Sequence, residues 1–250
     1  RAIVPATTVT IDNFNVGVTP SLVGYWKCNE GAGDVIYDYS KYGHNLLRRY
    51  NTGAEAWDAW SGPAGRVGIR DYNYFRCMAD GTPLITGANI VVLSADVIEG
   101  GTGSDYDIGQ AWNAVNASYE GCTLGAAAGE LWARSYELPT TDHKTTSIIA
   151  PAVGQQFTHV GRITPGVGII QYVNQASGLS TTSYTSATTP ASNTCQQQVG
   201  VRYFGLGGLG TYHVKDFQVW SFATTPPMLD ETLQWMALNP GKVPKWWEGL

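Results

Sequence analysis

Short apolar runs separated by glycine-rich turns recur along the chain, and they predict strands rather than helices. Residues 90–98 form the most apolar run, which is typical of a central strand buried on both faces. Residues 157–163 and 168–174 flank a Thr-Pro-Gly turn and predict a hairpin. In residues 212–222 apolar and polar positions alternate, which predicts a closing strand. The pattern as a whole predicts an all-β protein.

Two further segments fit this picture less regularly. Residues 122–125 and 130–134 predict a second hairpin around residues 126–129. Residues 176–194 are rich in Ser and Thr and have little apolar content. Such a composition indicates a long loop or an irregular sheet edge.

A short helix is predicted near the carboxyl end, over residues 226–238. Pro226 and Pro227 are tolerated in a first helical turn because their missing N–H groups have no helical partner there. The apolar positions that follow recur at i, i+4 and i+7, and they are Leu229, Leu233 and Met236.

Residues 22–47 contain the most distinctive motif of the chain. An apolar strand, residues 22–26, leads into a Glu-Gly-Ala-Gly-Asp turn at residues 30–34, and a second short strand follows. The corner after it, residues 38–45, opens with Asp38 and Ser40. Their side chains can accept hydrogen bonds from nearby backbone amides and so fix the corner locally.

This order resembles the first hairpin of the laminin G-like domains in the concanavalin A-like lectin/glucanase group. The matching positions are Trp26, Asn29, Glu30, Gly31, Gly33, Asp38, Ser40, Gly43 and Asn45. Cys28 stands where the family usually has Phe, and Lys41 replaces a glycine of the corner. The resemblance implies a two-sheet antiparallel jelly-roll sandwich (concanavalin A-like) with a short C-terminal helix. It also implies that His159, which fills the place of a sheet histidine, is structural.

The resemblance divides the chain into three parts. Residues 21–238 correspond to a laminin G-like jelly-roll domain. Residues 1–20 form an N-terminal arm, in which Val9 and Ile11 alternate with threonines. Such an arm is either an edge strand of the same sandwich or a strand that pairs with a neighbouring subunit. Residues 239–250 form a Trp-containing tail, which resembles the endings of laminin G-like proteins in bacteriophage virions.

The composition excludes several classes of partner. The chain has 250 residues, a formal net charge of −5 and only 14% charged residues. Binding nucleic acid needs clustered Lys and Arg, so nucleic acid is not a predicted partner. No apolar run has the roughly 20 residues that a membrane-spanning helix needs.

The four cysteines, Cys28, Cys77, Cys122 and Cys195, are widely spaced. Free buried thiols are favoured over two disulfides, because a core of this size needs no covalent cross-links.

The sequence predicts no enzyme. Glycosidases of this fold need paired carboxylates, which appear on one strand as Glu-x-Asp-x-x-Glu, and no Glu-x-Asp occurs here. A Gly-x-Ser-x-Gly elbow and a His-Glu-x-x-His motif are also absent from the sequence. The four histidines are scattered without metal-ligand spacing.

No cofactor is predicted, with calcium as an open alternative at one loop. Residues 100–107, Gly-Gly-Thr-Gly-Ser-Asp-Tyr-Asp, indicate a flexible surface loop. Laminin G-like domains often hold calcium on a loop rim, so the resemblance makes Asp105 and Asp107 candidate ligands.

Two functions from different classes remain. The first is a non-catalytic structural protein on a virion or other extracellular surface, for example a phage head decoration, fibre or tail component that contacts copies of itself or other virion proteins. Its candidate contacts are Trp246, Trp247, Val9 and Ile11. Adjacent tryptophans cannot both face one small core, so at least one of Trp246 and Trp247 should be exposed.

The alternative function is a carbohydrate-binding, lectin-like adhesion module. Its candidate glycan contacts are Trp57, Trp60 and Trp112.

Overall fold

The computed structural model describes residues 21–50, 66–69, 73–77, 89–100, 106–113, 120–127, 129–137, 141–185, 196–201 and 212–247. These residues form two antiparallel β-sheets packed face to face, with a short helix near the carboxyl end. The predicted all-β sandwich with a C-terminal helix is therefore confirmed. The predicted arm with Val9 and Ile11 lies outside the described residues, as do Trp57, Trp60 and Asp105.

The strands are, in chain order, β1 (Leu22–Trp26), β2 (Val35–Ile36), β3 (Leu46–Tyr50), β4 (Val67–Ile69), β5 (Asn73–Cys77), β6 (Ile90–Glu99), β7 (Tyr106–Asn113), β8 (Glu120–Ala127), β9 (Glu130–Glu137), β10 (Thr141–Lys144), β11 (Ile148–Ile149), β12 (Gln156–Thr164), β13 (Gly168–Gln175), β14 (Gly178–Tyr184), β15 (Gln196–Val201) and β16 (Tyr212–Phe222). The helix α1 spans Leu229–Leu238, and a 3₁₀ turn spans Lys245–Trp247.

Sheet A contains β1, β16, β6, β12, β13 and β14 in that spatial order, and β4 also pairs with β16. Strand β6 lies between β16 and β12, and nearly all of its side chains are buried. This confirms the central strand that the apolar run predicts. The first and last described strands, β1 and β16, pair with each other, with Trp26 opposite Phe217.

Sheet B contains β10, β9, β8, β7, β15, β5, β3 and β2 in that spatial order, and β11 pairs with β9. Strands β10 and β2 therefore lie at opposite edges of this sheet. The predicted hairpins β8–β9 and β12–β13 are both present. The turn between β8 and β9 is shorter than predicted, because β8 continues to Ala127.

The main core lies between the two sheets and is closed by aromatic rings. Trp26 has no exposed surface, as predicted. Its ring stacks on Phe217 at a centroid distance of 5.6 Å, and its indole N–H donates to the backbone oxygen of His44 at 2.9 Å. Gly24 leaves the room for this ring, since a Cβ there would lie 2.0 Å from it. Cys28 and Cys122 are buried and form no disulfide, which confirms the prediction for these two cysteines.

A second apolar cluster lies on the outer face of sheet A and is covered by α1 and the tail. Leu229, Leu233 and Met236 are buried in it, so the predicted helix face is confirmed. The helix begins at Leu229, however, and not at the prolines. Met228 takes a left-handed conformation (φ 52°), and its carbonyl oxygen accepts the first helical hydrogen bonds from Thr232.

The Ser/Thr-rich segment was predicted as a loop or irregular edge, and this is wrong for residues 178–184. They form a regular edge strand, β14, which pairs with β13 over its full length. Most of its side chains are exposed, so backbone pairing rather than apolar burial holds this strand. Polar strands of this kind lack the hydrophobic alternation by which strands are recognised in a sequence.

Candidate functional site

The Asp38 carboxylate organises the corner at residues 38–45. It accepts hydrogen bonds from the backbone N–H groups of Tyr25 at 2.9 Å, Ser40 at 2.8 Å and His44 at 2.8 Å. The Ser40 hydroxyl donates to Asp38 Oδ2 at 2.7 Å, the oxygen that also accepts from the His44 N–H. The predicted role of Asp38 and Ser40 in fixing the corner is therefore confirmed.

The backbone N–H groups of residues 37–39 are also hydrogen-bonded. The Tyr37 N–H donates to Glu30 Oε1 at 2.9 Å, and the Asp38 N–H donates to Asn45 Oδ1 at 3.0 Å. The Tyr39 N–H donates to the Tyr25 oxygen at 2.7 Å. Three consecutive residues are thus each fixed by a hydrogen bond from their own amide.

This rigid backbone displays two tyrosine rings. Tyr37 is 53% exposed and Tyr39 is 51% exposed, whereas Asp38 between them turns inward. The Lys27 ammonium lies 4.2 Å from the centroid of the Tyr39 ring. We call Lys27, Tyr37 and Tyr39 the corner surface.

The corner surface presents groups whose chemistry can contact a sugar. An aromatic ring offers a flat apolar face against which the C–H groups of a sugar can pack, and the tyrosine hydroxyl keeps a polar end in water. Lysine ammonium groups donate hydrogen bonds to sugar oxygens. The sequence analysis missed these two tyrosines. The available signal was the Tyr-Asp-Tyr order, in which an inward aspartate places both rings on the opposite side.

The predicted tail tryptophans have opposite environments. Trp246 is 43% exposed and donates its indole N–H to Thr232 Oγ1 at 2.8 Å. Trp247 has no exposed surface and packs edge-on against Trp220 and Phe222 at 5.4 and 4.8 Å. The expectation that at least one is exposed is confirmed. The two side chains differ because adjacent residues of a 3₁₀ turn point in different directions. The Trp247 side chain is buried against this chain's own sheet A, so it is not available as an assembly contact.

The tail is also attached to sheet A by a polar contact. The Tyr25 hydroxyl lies 2.9 Å from both Asp216 Oδ1 and the Gly241 oxygen. Burial and the neighbouring Asp216 carboxylate raise the pKa of Tyr25, and burial raises the pKa of Asp216. Gly241 has φ 72°, and a Cβ there would lie 2.4 Å from Asp216 Oδ2. The contact therefore depends on glycine at position 241.

The remaining predicted contacts are placed only in part. Trp112 lies in β7, where its backbone pairs with Gly121 and Gln196. Asp107 also lies in β7, opposite Gly125 and Val201, so the prediction that it lies in a flexible loop is wrong.

The assignment of calcium to Asp105 and Asp107 stays a prediction. Within the described ranges, no cluster of three or more His, Cys, Asp or Glu residues is arranged to hold a metal ion. No helix in the part that the structure describes is long and apolar enough to cross a membrane.

His159 is structural, as the resemblance implied. It is completely buried, and its Nε2 lies 2.8 Å from Gln171 Oε1. The Gln171 amide in turn donates to the oxygens of Leu131 and Thr146, at 3.2 and 2.9 Å, and so ties sheet A to sheet B. Burial lowers the pKa of His159 to about 4, so the ring is neutral at pH 7.

Comparison with solved structures identifies the fold. A binding domain of botulinum neurotoxin DC in complex with rat synaptotagmin II matches with a TM-score of 0.60 and 11% identity, over 88% of this chain and 52% of that one. The same binding domain in complex with SialylT matches with a TM-score of 0.59 and 10% identity, over 88% and 52% of the two chains. A type C neurotoxin structure, described as depending on two ganglioside molecules for cell entry, matches with a TM-score of 0.58 and 10% identity, over 88% and 51%.

The chain spans about half the length of these structures. No family model matches the sequence, and no curated protein matches it either. At 10–11% identity the likeness extends to the fold alone. The chain has the β-sandwich fold that is also present in these binding domains.

Proposed function

We propose that this chain is a non-catalytic, lectin-like module that binds glycans through the corner surface, on a concanavalin A-like sandwich of the laminin G kind. The observation behind the proposal is the pair of half-exposed rings, Tyr37 and Tyr39, on a backbone fixed by hydrogen bonds at three successive amides. The similar solved structures support it, because two of them are described with gangliosides or SialylT.

Rigidity is what favours binding at such a shallow surface. Ordering a flexible loop costs free energy on association, and a corner that is already ordered avoids this cost. Tyrosine adds little further cost, since its side chain has only two rotatable torsions. A single shallow contact still provides little free energy, on the order of 4 kcal/mol, which corresponds to a millimolar Kd. We therefore expect strong binding only where several copies meet several sugars.

An array of immobilised glycans, probed with a multivalent form of the protein, tests the proposal. The wild type should bind at least one glycan class. The double variant Tyr37→Ser/Tyr39→Ser should lose about tenfold or more in signal, because it removes both ring faces but leaves the Asp38 hydrogen bonds intact. Tyr184→Ser is the matched control, since Tyr184 is 41% exposed on β14, away from the corner.

Two results would contradict the proposal. One is a wild type that binds no glycan on the array. The other is a double variant that retains the signal of Tyr184→Ser, since sugar recognition would then lie elsewhere on the protein.

A second candidate function is assembly on a virion or other extracellular surface. It is supported by three exposed apolar side chains at or near α1, since Trp246, Leu238 and Met228 are 43%, 55% and 60% exposed. Large exposed apolar side chains are enriched at contacts between proteins. If Trp246 lies in a contact between subunits, Trp246→Ser should shift the sedimentation coefficient of the chain towards that of a monomer. A wild type that sediments as a monomer would contradict assembly, and glycan binding would then be the remaining candidate function.

A further inference from the structure

One tyrosine hydroxyl joins three segments that are far apart in the chain. The Tyr25 hydroxyl of β1 lies 2.9 Å from Asp216 Oδ1 of β16, and it also lies 2.9 Å from the backbone oxygen of Gly241 in the tail. A tyrosine hydroxyl has a single proton, and a backbone oxygen has none. Two full hydrogen bonds at this point therefore need a second proton. Of the three groups, the Asp216 carboxyl is the one that can carry it.

The protonation state of Asp216 decides where the Tyr25 proton goes. A protonated Asp216 donates to the Tyr25 oxygen, and the Tyr25 hydroxyl then donates to the Gly241 oxygen. An ionised Asp216 can only accept. Because a hydrogen bond to a charged oxygen is roughly twice as strong as one to a neutral oxygen, the hydroxyl then turns to Asp216. The Gly241 oxygen loses this donor as a result.

The carboxyl group of Asp216 lies directly against the tail backbone. A Cβ at Gly241 would be 2.4 Å from Asp216 Oδ2. Asp216 has φ 53°, at an irregularity in the pairing of β16 with β6, and its N–H donates to the Lys27 oxygen at 3.2 Å. Left-handed backbone is costly for residues other than glycine and persists where the surroundings hold it. The position of this carboxyl group is therefore fixed by the fold.

The groups around Asp216 carry both signs of charge. They are Tyr25 of β1, Lys27 and Cys28 after β1, Arg66 ahead of β4, Asp96 of β6, Lys215 of β16 and the exposed Lys242 beside Gly241. Burial has the largest effect and raises the pKa of Asp216, whereas the Tyr25 hydrogen bond and the nearby cations lower it. Arg66 is itself paired with Asp96. Within the described part of the chain Asp216 forms no ion pair, so no cation in contact with it holds it ionised.

We propose that Tyr25, Asp216 and Gly241 form a proton-dependent latch, which holds the tail against sheet A in acid and loosens when Asp216 ionises. The stability that the latch contributes is complete below the pKa of an aspartate in the unfolded chain. It is lost as the pH rises through the higher pKa that burial gives Asp216 in the folded chain. The latch is independent of glycan binding, so a protein that binds no glycan can still have it.

The effect is confined to the segment between α1 and Trp247. Gln218 Nε2 donates to the Lys242 oxygen at 3.3 Å, and Trp247 is buried against Trp220 and Phe222. Neither contact involves Asp216. Ionisation therefore loosens this segment without detaching the end of the chain.

Amide hydrogen exchange of the intact chain between pH 4.5 and pH 8 tests the latch. Each exchange rate is divided by the rate of an unstructured peptide at the same pH, which removes the intrinsic pH dependence. We expect the protection of residues 239–247 to fall about tenfold as the pH rises, because one hydrogen bond of the tail is lost. Protection of this segment that is the same at both ends of the range would overturn the proposal.

Three variants locate the effect. Asp216→Asn cannot ionise, tolerates left-handed backbone and offers an N–H to the Tyr25 oxygen, so the tail should stay protected over the whole range. Tyr25→Phe keeps the ring but removes the hydroxyl, and the tail should be weakly protected at every pH. Asp230→Asn, at an exposed aspartate of α1, is the matched control and should show the wild-type fall. The wild-type fall in Asp216→Asn, or its disappearance in Asp230→Asn, would overturn the latch.

Discussion

Trp26 and Trp132 are buried tryptophans in opposite sheets, Trp26 on the face of sheet A that is turned to the core and Trp132 on the outer face of sheet B. Each ring lies over a glycine, Gly24 or Gly125, at which a Cβ would be 2.0 Å from the ring. Each is essentially unexposed, at 0% and 1%. By exposed area alone the two residues look equivalent, although only Trp26 belongs to the core between the sheets.

The difference lies in their polar atoms. The Trp26 N–H donates to the His44 oxygen, and the ring stacks on Phe217. The Trp132 N–H has no partner among the described residues, and cations rather than apolar rings lie near its face. A satisfied indole within a closed core indicates a structural role. The unsatisfied indole of Trp132 shows that two equally buried tryptophans can differ in the hydrogen bonding of their N–H groups.

The largest expected effect is on stability and separates the two tryptophans. Trp26→Ala should lower the free energy of unfolding by about 3–5 kcal/mol, because it leaves a cavity between the sheets. Trp132→Ala should cost less, about 1–2 kcal/mol, because flexible Arg and Lys side chains can settle over the gap. Denaturant unfolding measures both. Equal losses would mean that Trp132 is as much a core residue as Trp26.

His159 extends the comparison to a buried group whose hydrogen bond depends on pH. Burial lowers its pKa from 6.5 to about 4, so the unfolded chain binds more protons than the folded one between these values. The contribution of His159 is complete above pH 6.5 and is lost as the pH falls to about 4, by about 3 kcal/mol in total. Asp96 and Asp216 act in the opposite direction, since burial raises their pKa values and their contribution is lost as the pH rises.

The variant His159→Gln isolates this effect from the two carboxyl groups. The difference in unfolding free energy between wild type and variant should shrink steadily from pH 7 to pH 4. A difference that is constant over this range would show that His159 is not held neutral in the folded state.

Gly125→Ala should destabilise the fold by about 2 kcal/mol, because the new methyl group forces the Trp132 ring to move. Gly24→Ala is the matched variant in the core and should be destabilised by a similar amount, because its methyl group forces the Trp26 ring to move. Denaturant unfolding measures both variants. An unchanged free energy of unfolding in either variant would contradict the placement of the tryptophan ring over that glycine.

The smallest expected effect distinguishes the neighbouring tail tryptophans. Trp246→Ser should change the melting temperature little, corresponding to less than about 1 kcal/mol, because the side chain is largely at the surface. Trp247→Ser should cost several times more, since it opens the cluster with Trp220 and Phe222. Similar melting temperatures for the two variants would contradict the placement of Trp247 against sheet A.

The sequence predicted the features that depend on local pattern. The central strand, two hairpins, the buried Trp26 and the corner fixed by Asp38 all follow from short-range periodicity or from side chains that bond to their own neighbours. Strand β14 could not be predicted, because its order comes from pairing with β13 and its side chains are polar and exposed.

The latch and the surroundings of Trp132 depend on contacts between distant segments. The placement of Arg134 and Lys144, the two cations near the Trp132 ring, follows from the register of β9 with β10, and the placement of Trp132 from the register of β9 with β8. A shift of one residue in either register would move these side chains to the other face. The burial of Trp247 likewise requires the tail to return to β16, more than twenty residues earlier in the chain. None of these registers can be read from composition or spacing.

The most direct test of the glycan-binding account is saturation-transfer NMR with the glycan that binds most strongly on the array. Saturating the protein's aromatic protons should transfer magnetisation to the sugar C–H protons in the wild type and in Trp246→Ser. The same transfer should be largely absent in Tyr37→Ser/Tyr39→Ser, because the rings that contact the sugar have been removed. Transfer that survives in the double tyrosine variant but disappears in Trp246→Ser would contradict the account and place sugar binding at the helix side of the sandwich.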